Sequence, residues 1–288
     1  MKLSHLLTLS FAASTVLMAC GSSTPSDGAG GSGSGGSSGG TGGSAGNGGK
    51  DSGSAAACIT VADDLIADFT KDNGINGVDG RQGGFYVYGD SKGAFDPAKV
   101  GDEAYPITQS NSPCSGAGSF HTKATGFAEW GAAMGTDLAP KPGDSKGYYD
   151  ASKYKGVSFW AKASAPLSGV QVSFPDVYTD GGADPTTVDS SASKCAYVAG
   201  STINCSPYLV KFGSGNYTTK IDTEWKRFDV LFADTKQDEY NIGAKAPGDV
   251  LATKYLTAMA IQVNAIYVNG SPTANDFELW IDDVNFIK

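Results

Sequence analysis

The stretch GGFYVYGD, residues 83–90, decides the fold of the larger part of this chain. Apolar and amphipathic aromatic side chains alternate in it between glycines, which is typical of a strand with one buried face. Successive side chains of a strand point to opposite faces of its sheet. We therefore predict that Phe85 and Val87 face a core, and that Tyr86 and Tyr88 share the opposite face with Asp90.

Similar runs follow along the chain, separated by clusters of Gly, Pro, Asn and Asp. They are Val157–Ala163, Val170–Phe174, Trp225–Phe232, Ile261–Val263, Ile266–Val268 and the closing FELWIDDVNFIK, residues 277–288. No apolar stripe with helical spacing persists for more than about two turns. The sequence therefore predicts an all-β domain over residues 58–288, a two-sheet antiparallel β-sandwich or jelly roll.

The net negative charge of the chain comes entirely from that predicted domain. The chain of 288 residues has a net charge of −9, and in residues 1–57 the cations Lys2 and Lys50 balance the anions Asp27 and Asp51. An acidic domain lacks the positive surface that attracts phosphate backbones and anionic lipid headgroups. We therefore expect no nucleic-acid partner and a monomer with one sizeable core.

The N-terminus has the features of an export signal. Lys2 is followed by an apolar run from Leu6 to Leu17, which is too short to span a bilayer, and then by Met18-Ala19-Cys20. The sequence resembles the lipobox of bacterial lipoproteins, which implies a signal peptide over residues 1–19 and a lipidated Cys20. An ordinary cleaved signal with a chance cysteine is the alternative. The resemblance implies an exported lipoprotein at the outer membrane or cell surface, contacting the membrane only through its lipid anchor.

A Gly/Ser-rich segment follows the lipidation site. Residues 20–57 contain too few apolar side chains to offset the entropy of an ordered chain. The matches to GxSxG and GxGxxG within it reflect composition, because no strand precedes them and no helix follows them. We predict a flexible linker between the anchor and the domain.

The remaining cysteines indicate disulfide bonds. An even number in an exported chain, Cys58, Cys114, Cys195 and Cys205, predicts two bridges with three alternative pairings. We favour Cys195 with Cys205, which bracket a short polar loop, and Cys58 with Cys114. A zinc site is disfavoured, because the chain has no CxxC pair and only His121 remains after the signal peptide.

Six blocks of sequence carry a family resemblance. They are LIADF (65–69), GGFYVYGD (83–90), GFAEWGAAMG (126–135), YDASKYKGVSFWAKA (149–163), WKRFDVLFAD (225–234) and LWIDDVNF (279–286). Their order resembles the galactose-binding-domain-like jelly rolls, and among these the family 11 carbohydrate-binding modules on bacterial surface lipoproteins. The resemblance implies a sugar-binding cleft on a concave face and a structural Ca²⁺ near the joined termini.

Candidate Ca²⁺ ligands follow from that resemblance. An acidic residue of the opening strand and one of the final strand contribute in the family, which implies Asp68 and either Asp282 or Asp283. Adjacent aspartates in an apolar strand point to opposite faces unless one of them lies at a bulge. Exposed carboxylates that accept hydrogen bonds from backbone amides are the alternative interpretation.

The residues also support a sugar site on physical grounds. A pyranose offers a face of C–H bonds and a rim of hydroxyls, so its binder needs flat aromatic rings flanked by polar groups. Tyr86 and Tyr88 are candidates for stacking, although rings that only cover the sandwich are an equal alternative. The full set of candidate carbohydrate-binding residues is Tyr86, Tyr88, Asp90, Trp130, Asp176, Tyr178 and Gln262.

We therefore predict a non-catalytic surface lipoprotein domain that binds polysaccharide or oligosaccharide through an aromatic-lined concave face. A glycan-active hydrolase on the same fold is an alternative, because two carboxylates suffice for glycoside hydrolysis. Glu129, Asp229 and Glu239 are candidates that nothing in the sequence selects, and a catalytic triad would require His121. A surface adhesion or scaffolding protein that binds a protein partner is the third hypothesis.

Overall fold

The computed structural model describes residues 58, 61, 63–70, 74–96, 107–108, 114, 118–139, 143, 145–197, 203–238 and 243–288. They belong to one compact unit, Ser54–Lys288. The predicted signal peptide (1–19), the lipidation site Cys20, the linker (20–57) and the catalytic candidate Glu239 lie outside the described residues. Those four hypotheses stay predictions.

The described residues form strands joined by loops, and their helical structure is limited to five 3-10 turns of three residues each. The turns are Val78–Gly80, Pro185–Thr187, Phe232–Asp234, Pro247–Asp249 and Thr253–Tyr255. The strands are β1 (Leu65–Ala67), β2 (Tyr86–Gly89), β3 (Ala94–Asp96), β4 (Ile107–Thr108), β5 (Ser119–Thr125), β6 (Ala132–Asp137), β7 (Gly156–Ala163), β8 (Val170–Phe174), β9 (Tyr208–Lys211), β10 (Lys226–Leu231), β11 (Ala258–Val263), β12 (Ile266–Val268), β13 (Ser271–Thr273) and β14 (Phe277–Ile287).

Two antiparallel sheets make up the domain. The first sheet has the order β10-β7-β14-β5-β3, with β1 paired to β14 and β4 paired to β5. The second sheet has the order β2-β6-β11-β8-β9, and β12 and β13 form a separate hairpin. This architecture confirms the predicted all-β, two-sheet antiparallel sandwich of the jelly-roll kind.

The alternation over residues 85–88 is as predicted. Phe85 is completely buried, and its ring packs edge-on against Phe69 at a centroid distance of 5.0 Å. Val87 packs against the same core, whereas Tyr88 is 38% exposed on the other face. Burial of a phenylalanine of this kind stabilises the fold by about 2–3 kcal/mol, so the core fixes which face of β2 carries the tyrosines.

A β-bulge interrupts the long final strand. Asp282 pairs with Trp160 and Asn285 pairs with Ser158. Between these two pairs the chain moves three positions along β14 but only two along β7. Asp283 adopts a positive φ of 50° at this point. The extra residue lets Ile281 and Val284 both face the core although they are three positions apart. The bulge accounts for the two adjacent aspartates in an otherwise apolar strand.

Both predicted disulfides are present. Cys58 is bonded to Cys114, with Cα atoms 5.5 Å apart, and Cys195 is bonded to Cys205, with Cα atoms 5.0 Å apart. In the chain-entropy account, loops of these lengths contribute roughly 3–4 kcal/mol each. In the part of the chain that the structure describes, no helix combines the length and the apolar character needed to cross a membrane.

Candidate functional site

A groove of about 930 Å³ lies on the outer face of the second sheet. Its floor follows the strand register: Tyr86 on β2 pairs with Gly135, which pairs with Ala260, which pairs with Ser173 on β8. A Cβ on Gly135 would come within 2.6 Å of the Met259 carbonyl oxygen, so only glycine fits there. Small side chains in the middle of the sheet therefore leave the groove deep between its edges.

Three rings form one edge of the groove, and we call Tyr86, Tyr88 and Trp130 the aromatic row. The Tyr86 and Tyr88 ring centroids are 5.7 Å apart, and those of Tyr88 and Trp130 are 6.0 Å apart. Trp130 is 40% exposed, and all three residues line the groove. The structure thus brings together three of the seven predicted sugar-binding residues as a continuous, partly exposed aromatic surface.

Asp90 positions Trp130 instead of lining the groove. Asp90 is buried, and its Oδ2 accepts hydrogen bonds from the backbone amides of Glu129, Trp130 and Gly131 at 2.8, 3.1 and 3.1 Å. Its Oδ1 accepts from the Lys92 amide at 3.0 Å. The prediction that Asp90 contacts sugar is therefore wrong, because its acceptor capacity is used within the fold.

The hydrogen bonds of Asp90 also determine its ionisation. Burial by itself would raise the pKa of this carboxyl, but the backbone donors of Lys92, Glu129, Gly131 and Trp130 outweigh burial. The pKa of Asp90 is therefore held below its usual value. The ionised carboxylate ties the loop that carries Trp130 to the end of β2.

The other predicted aspartate and its neighbouring tyrosine are also structural. Asp176 is completely buried, with Oδ1 accepting from the Tyr178 and Thr179 amides and Oδ2 accepting from the Ala252 amide. Burial raises the pKa of Asp176 in spite of these bonds. Tyr178 is buried in the core cluster. Asp176 and Tyr178 are therefore not available to a ligand in this structure, and their predicted role as a second sugar-binding edge is wrong.

Gln262 lies on the groove floor as predicted, beside a glutamine that the sequence analysis did not select. Gln262 on β11 pairs in register with Gln171 on β8, and both side chains line the groove. Asn264 bridges them: it accepts from Gln262 Nε2 at 2.5 Å and donates from Nδ2 to Gln171 Oε1 at 3.1 Å. The floor therefore carries two adjacent amides connected through a third.

A second part of the lining comes from loops, and we call Lys146, Asp180, Tyr197 and Cys205 the loop wall. Lys146 Nζ lies 2.9 Å from Asp137 Oδ1 and 3.2 Å from Asp180 Oδ2. Burial opposes the charge of Lys146, but the Asp180 and Asp137 carboxylates outweigh it and raise the pKa of Lys146. Tyr86 donates its hydroxyl to the same Asp137 oxygen at 3.3 Å. We call Lys146, Asp137 and Asp180 the ionic cluster, and this cluster connects the loop wall to the aromatic row.

The Cys195–Cys205 disulfide shapes the remainder of the loop wall. Tyr197 is 67% exposed and lines the groove, as does Cys205. A Cβ on Gly181 would lie 2.9 Å from the Tyr197 ring and 3.0 Å from the Cys205 sulfur. The absence of a side chain at Gly181 therefore lets the disulfide and Tyr197 pack closely against the loop that carries Asp180.

The candidate Ca²⁺ ligands lie where β1 and β14 pair. Burial raises the pKa of Asp283, and the nearby Asp68 carboxylate adds to this effect although Asn285 and Arg227 oppose it. Asp68 Oδ1 accepts from the Thr70 amide at 3.0 Å, and the buried Asp282 accepts from the Asp283 amide at 2.7 Å. Asp68 therefore lies close enough to Asp283 to influence the pKa of its carboxyl, and the Ca²⁺ site stays a prediction.

The donor chemistry beside Asp283 suits a hard cation. Asn285 Oδ1 is buried without a hydrogen-bond partner, while the Asn285 Nδ2 group donates to the Asp283 carbonyl. Two carboxylates and an unpartnered amide oxygen are ligands that Ca²⁺ prefers. The Cys58 and Cys114 sulfurs also lie close to the Asp283 carboxylate, but the disulfide removes them as thiolate ligands.

The catalytic candidates do not gather at the groove. His121 lies on the first sheet, stacked on Trp280 at a centroid distance of 4.5 Å and 3.1 Å from Glu278 Oε1. Glu129 is paired with Lys92, and Asp229 is paired with Arg227. None of these three residues is part of the groove lining. The described structure therefore brings no two of the nominated catalytic residues together at the groove.

The chain is similar to solved structures of family 11 carbohydrate-binding modules from Clostridium thermocellum. The module of the cellulosomal cellulase Lic26A-Cel5E matches with a TM-score of 0.42 and 12% identity, over 77% of this chain and 92% of that chain. The module in complex with a β-1,3-1,4-mixed-linked tetrasaccharide matches with a TM-score of 0.42 and 12% identity, over 78% and 94%. These modules are of the type that the sequence blocks resemble. No protein-family model and no curated protein matches the chain.

Proposed function

We propose that the groove on the second sheet binds polysaccharide or oligosaccharide and does not cleave it. The aromatic row above a floor of small side chains is the observation that carries this proposal. Rings 5.7–6.0 Å apart can stack on the C–H faces of successive sugars. The tyrosine hydroxyls add polar groups at the edges of these rings. The paired glutamine amides and the ionic cluster supply hydrogen-bonding groups for the hydroxyl rim.

The size of the groove suits a chain of sugars. Its lining extends across the sheet from Tyr86 on β2 to Leu209 on β9. The four inter-strand spacings between these edge strands correspond to about 19 Å. That distance accommodates several pyranose rings, so we expect oligosaccharides to bind more tightly than monosaccharides.

The groove carboxylates favour binding over hydrolysis. Glycoside hydrolysis requires one carboxyl that donates a proton to the leaving group and another that acts as base or nucleophile. Of the two carboxylates that line the groove in the described structure, Asp180 is paired with Lys146 at 3.2 Å and Asp238 is paired with Lys211 at 2.9 Å. Carboxylates held by lysines are suited to accepting hydrogen bonds from sugar hydroxyls.

Affinity electrophoresis tests the proposal. We expect the full chain to be retarded in gels that contain a β-glucan, xylan or mannan, with no release of reducing sugar from the polysaccharide that retards it. Reducing-sugar release would instead indicate a hydrolase. If no glycan retards the chain and none is cleaved, the proposal is contradicted. The adhesion or scaffolding hypothesis is then favoured.

We also propose a structural Ca²⁺ held by Asp68 and Asp283, with Asn285 Oδ1 as an additional ligand. The ion would neutralise two neighbouring carboxylates at the junction of the first and last strands. Chelation is expected to lower the Tm of the wild-type protein by several degrees, and to have no such effect on Asp283→Asn. Equal Tm values with and without chelator in the wild type would contradict a Ca²⁺ site.

The cellular placement that we propose is a monomeric lipoprotein tethered at the outer membrane or cell surface through Cys20. The lipobox-like sequence ending at Cys20 supports this, and the Gly/Ser-rich segment would let the domain reach polymers roughly 30–40 Å away. Cys20→Ser is expected to remove the acyl mass from the mature chain and release it from membranes. Retention of Cys20→Ser in the membrane fraction would contradict the anchor.

A further inference from the structure

The two glutamines on the groove floor are connected by an amide that does not itself line the groove. Gln171 and Gln262 line it, whereas Asn264 is outside the lining and comes just after β11. The Asn264 backbone is fixed from two sides, because its amide donates to the Gly169 carbonyl at 2.9 Å and its carbonyl accepts from Asn275 Nδ2 at 3.0 Å. The Asn264 side chain is thereby held between the glutamines.

The orientations of the three side-chain amides follow from the position of the Trp130 backbone carbonyl. Gln262 Nε2 faces the Trp130 carbonyl oxygen at 3.4 Å and Asn264 Oδ1 at 2.5 Å. A carbonyl oxygen can only accept, so the nitrogen end of Gln262 faces Trp130. Asn264 then has its oxygen towards Gln262 and its nitrogen towards Gln171 Oε1, at 3.1 Å. Each amide in the series fixes the orientation of the next.

We propose that Asn264 is a positioning residue that makes the groove present one acceptor, Gln262 Oε1, beside one donor, Gln171 Nε2. This inference rests on the proposed function of the groove in glycan binding. The two groups lie on register-paired residues of adjacent strands, whose Cβ atoms are about 5 Å apart. Neighbouring sugar hydroxyls can satisfy both ends, one by donating and one by accepting. The ligand class is therefore a glycan with a free vicinal diol over the glutamine pair.

The substitution Asn264→Asp reverses one amide. The introduced carboxylate still accepts from Gln262, but it has no N–H for Gln171 Oε1, so Gln171 must rotate and donate to the carboxylate. The groove would then present two acceptors and no donor. Asn264→Ala instead frees both glutamines to rotate and reverses neither. We expect N264D to weaken oligosaccharide affinity by about tenfold and N264A by about threefold. In N264D a sugar hydroxyl faces an acceptor where it needs a donor, and this reduces affinity more than the free rotation of the glutamines in N264A.

A double-mutant cycle separates positioning from a general structural role. The probe is the β-glucan, xylan or mannan oligosaccharide that binds the wild type most tightly, measured by calorimetry on the full chain. Gln171→Ala is expected to lose about fivefold in affinity, and N264D combined with Gln171→Ala is expected to lose no more than that. Asn269→Asp, which adds the same charge in the turn of the β12–β13 hairpin, is the matched control and should bind like the wild type.

Side-chain NMR tests the inference without a ligand. In the wild type, the Asn264 NH₂ protons are expected to exchange with water more slowly than those of Gln171. In N264D, the Gln171 NH₂ protons should become protected. Unchanged Gln171 protection in N264D, fully additive losses in the double mutant, or a larger loss in N264A than in N264D would each overturn the inference. A wild type that binds no glycan would contradict the proposed function, while the exchange experiment would still decide the role of Asn264.

Discussion

The aromatic row and the loop wall line one groove but are built in different ways. Tyr86 and Tyr88 lie on an edge strand, and Asp90, two residues further on, holds the loop of Trp130. The loop wall instead combines Lys146 and Asp180, which an ion pair joins, with Tyr197 and Cys205, which lie at the Cys195–Cys205 disulfide. The two tyrosines are thus placed by local strand periodicity, whereas Trp130 and the loop wall are placed by contacts between distant segments.

The largest effect is expected where the aromatic row is anchored. Asp90→Ala leaves four backbone amides without their acceptor, so we expect a loss of about 4 kcal/mol in the free energy of unfolding. Glycan affinity should fall as well, because the Trp130 loop is released. Urea denaturation at pH 7 measures the stability. A loss below about 1 kcal/mol, the net value of a single hydrogen bond, would contradict the anchoring role.

The pH dependence of this effect has a defined sign. The pKa of Asp90 is lower in the folded than in the unfolded protein, so its contribution is present above the unfolded pKa of about 3.9. It is lost as the pH falls through the lower folded pKa. The stability difference between wild type and Asp90→Ala should therefore be constant from pH 5 to pH 7 and shrink in stronger acid. A difference that instead shrinks between pH 5 and pH 7 would contradict the lowered pKa.

The anchor of the loop wall is expected to contribute somewhat less. Replacing Cys195 and Cys205 by serine opens a loop with a sequence separation of 10, which costs about 3 kcal/mol in the chain-entropy account. The Tyr197 side chain and the replaced position 205 would lose their fixed places, so affinity should fall by a few-fold. Thermal unfolding and calorimetry measure the two effects. Unchanged affinity in the double serine variant would remove this part of the loop wall from the site.

Sequence periodicity predicted the two tyrosines of the aromatic row because strand alternation is local. Phe85 had to be buried, and this alone placed Tyr86 and Tyr88 outside. Gln171 carries the same signal, because it lies between Val170 and Val172 and therefore faces away from the core. Lys146 and Asp180 gave no such signal, because loop residues have no periodicity and their ion pair joins segments far apart in sequence.

The two aspartates that the sequence analysis wrongly assigned to sugar binding have a common structural role. Asp90 and Asp176 follow the ends of β2 and β8, and strand ends are where the chain turns and leaves amides unpaired. Aspartate carboxylates accept from such amides, as in Asx turns, and both residues do so here. A carboxylate at a strand end is therefore a candidate turn residue before it is a candidate ligand contact.

Within the aromatic row, the central ring is expected to dominate affinity. Tyr88→Ala should weaken oligosaccharide binding by about 2 kcal/mol, roughly thirtyfold, with little change in Tm, because Tyr88 is partly exposed between its two neighbours. Tyr267→Ala removes a 72% exposed tyrosine on the β12–β13 hairpin and should bind like the wild type. Equal affinity losses in the two variants would contradict a role for the row.

The smallest effect is expected in the ionic cluster. Lys146→Met keeps much of the apolar stem but removes the charge between Asp137 and Asp180, so we expect a loss of about 1 kcal/mol in affinity and in stability. The pKa of Lys146 is raised in the folded state. Its contribution is therefore present below the unfolded pKa of about 10.4 and is lost as the pH rises through the folded pKa. A stability difference that vanishes already between pH 6 and pH 9 would contradict the raised pKa.

Tryptophan fluorescence tests the location of the ligand most directly. Trp130 lines the groove, whereas Trp160 and Trp280 lie on β7 and β14 of the first sheet and Trp225 immediately precedes β10. We predict that a β-glucan, xylan or mannan oligosaccharide causes a saturable change in emission that Trp130→Phe abolishes. The same saturable change in Trp130→Phe would place the ligand beside the first sheet and contradict glycan binding in the groove.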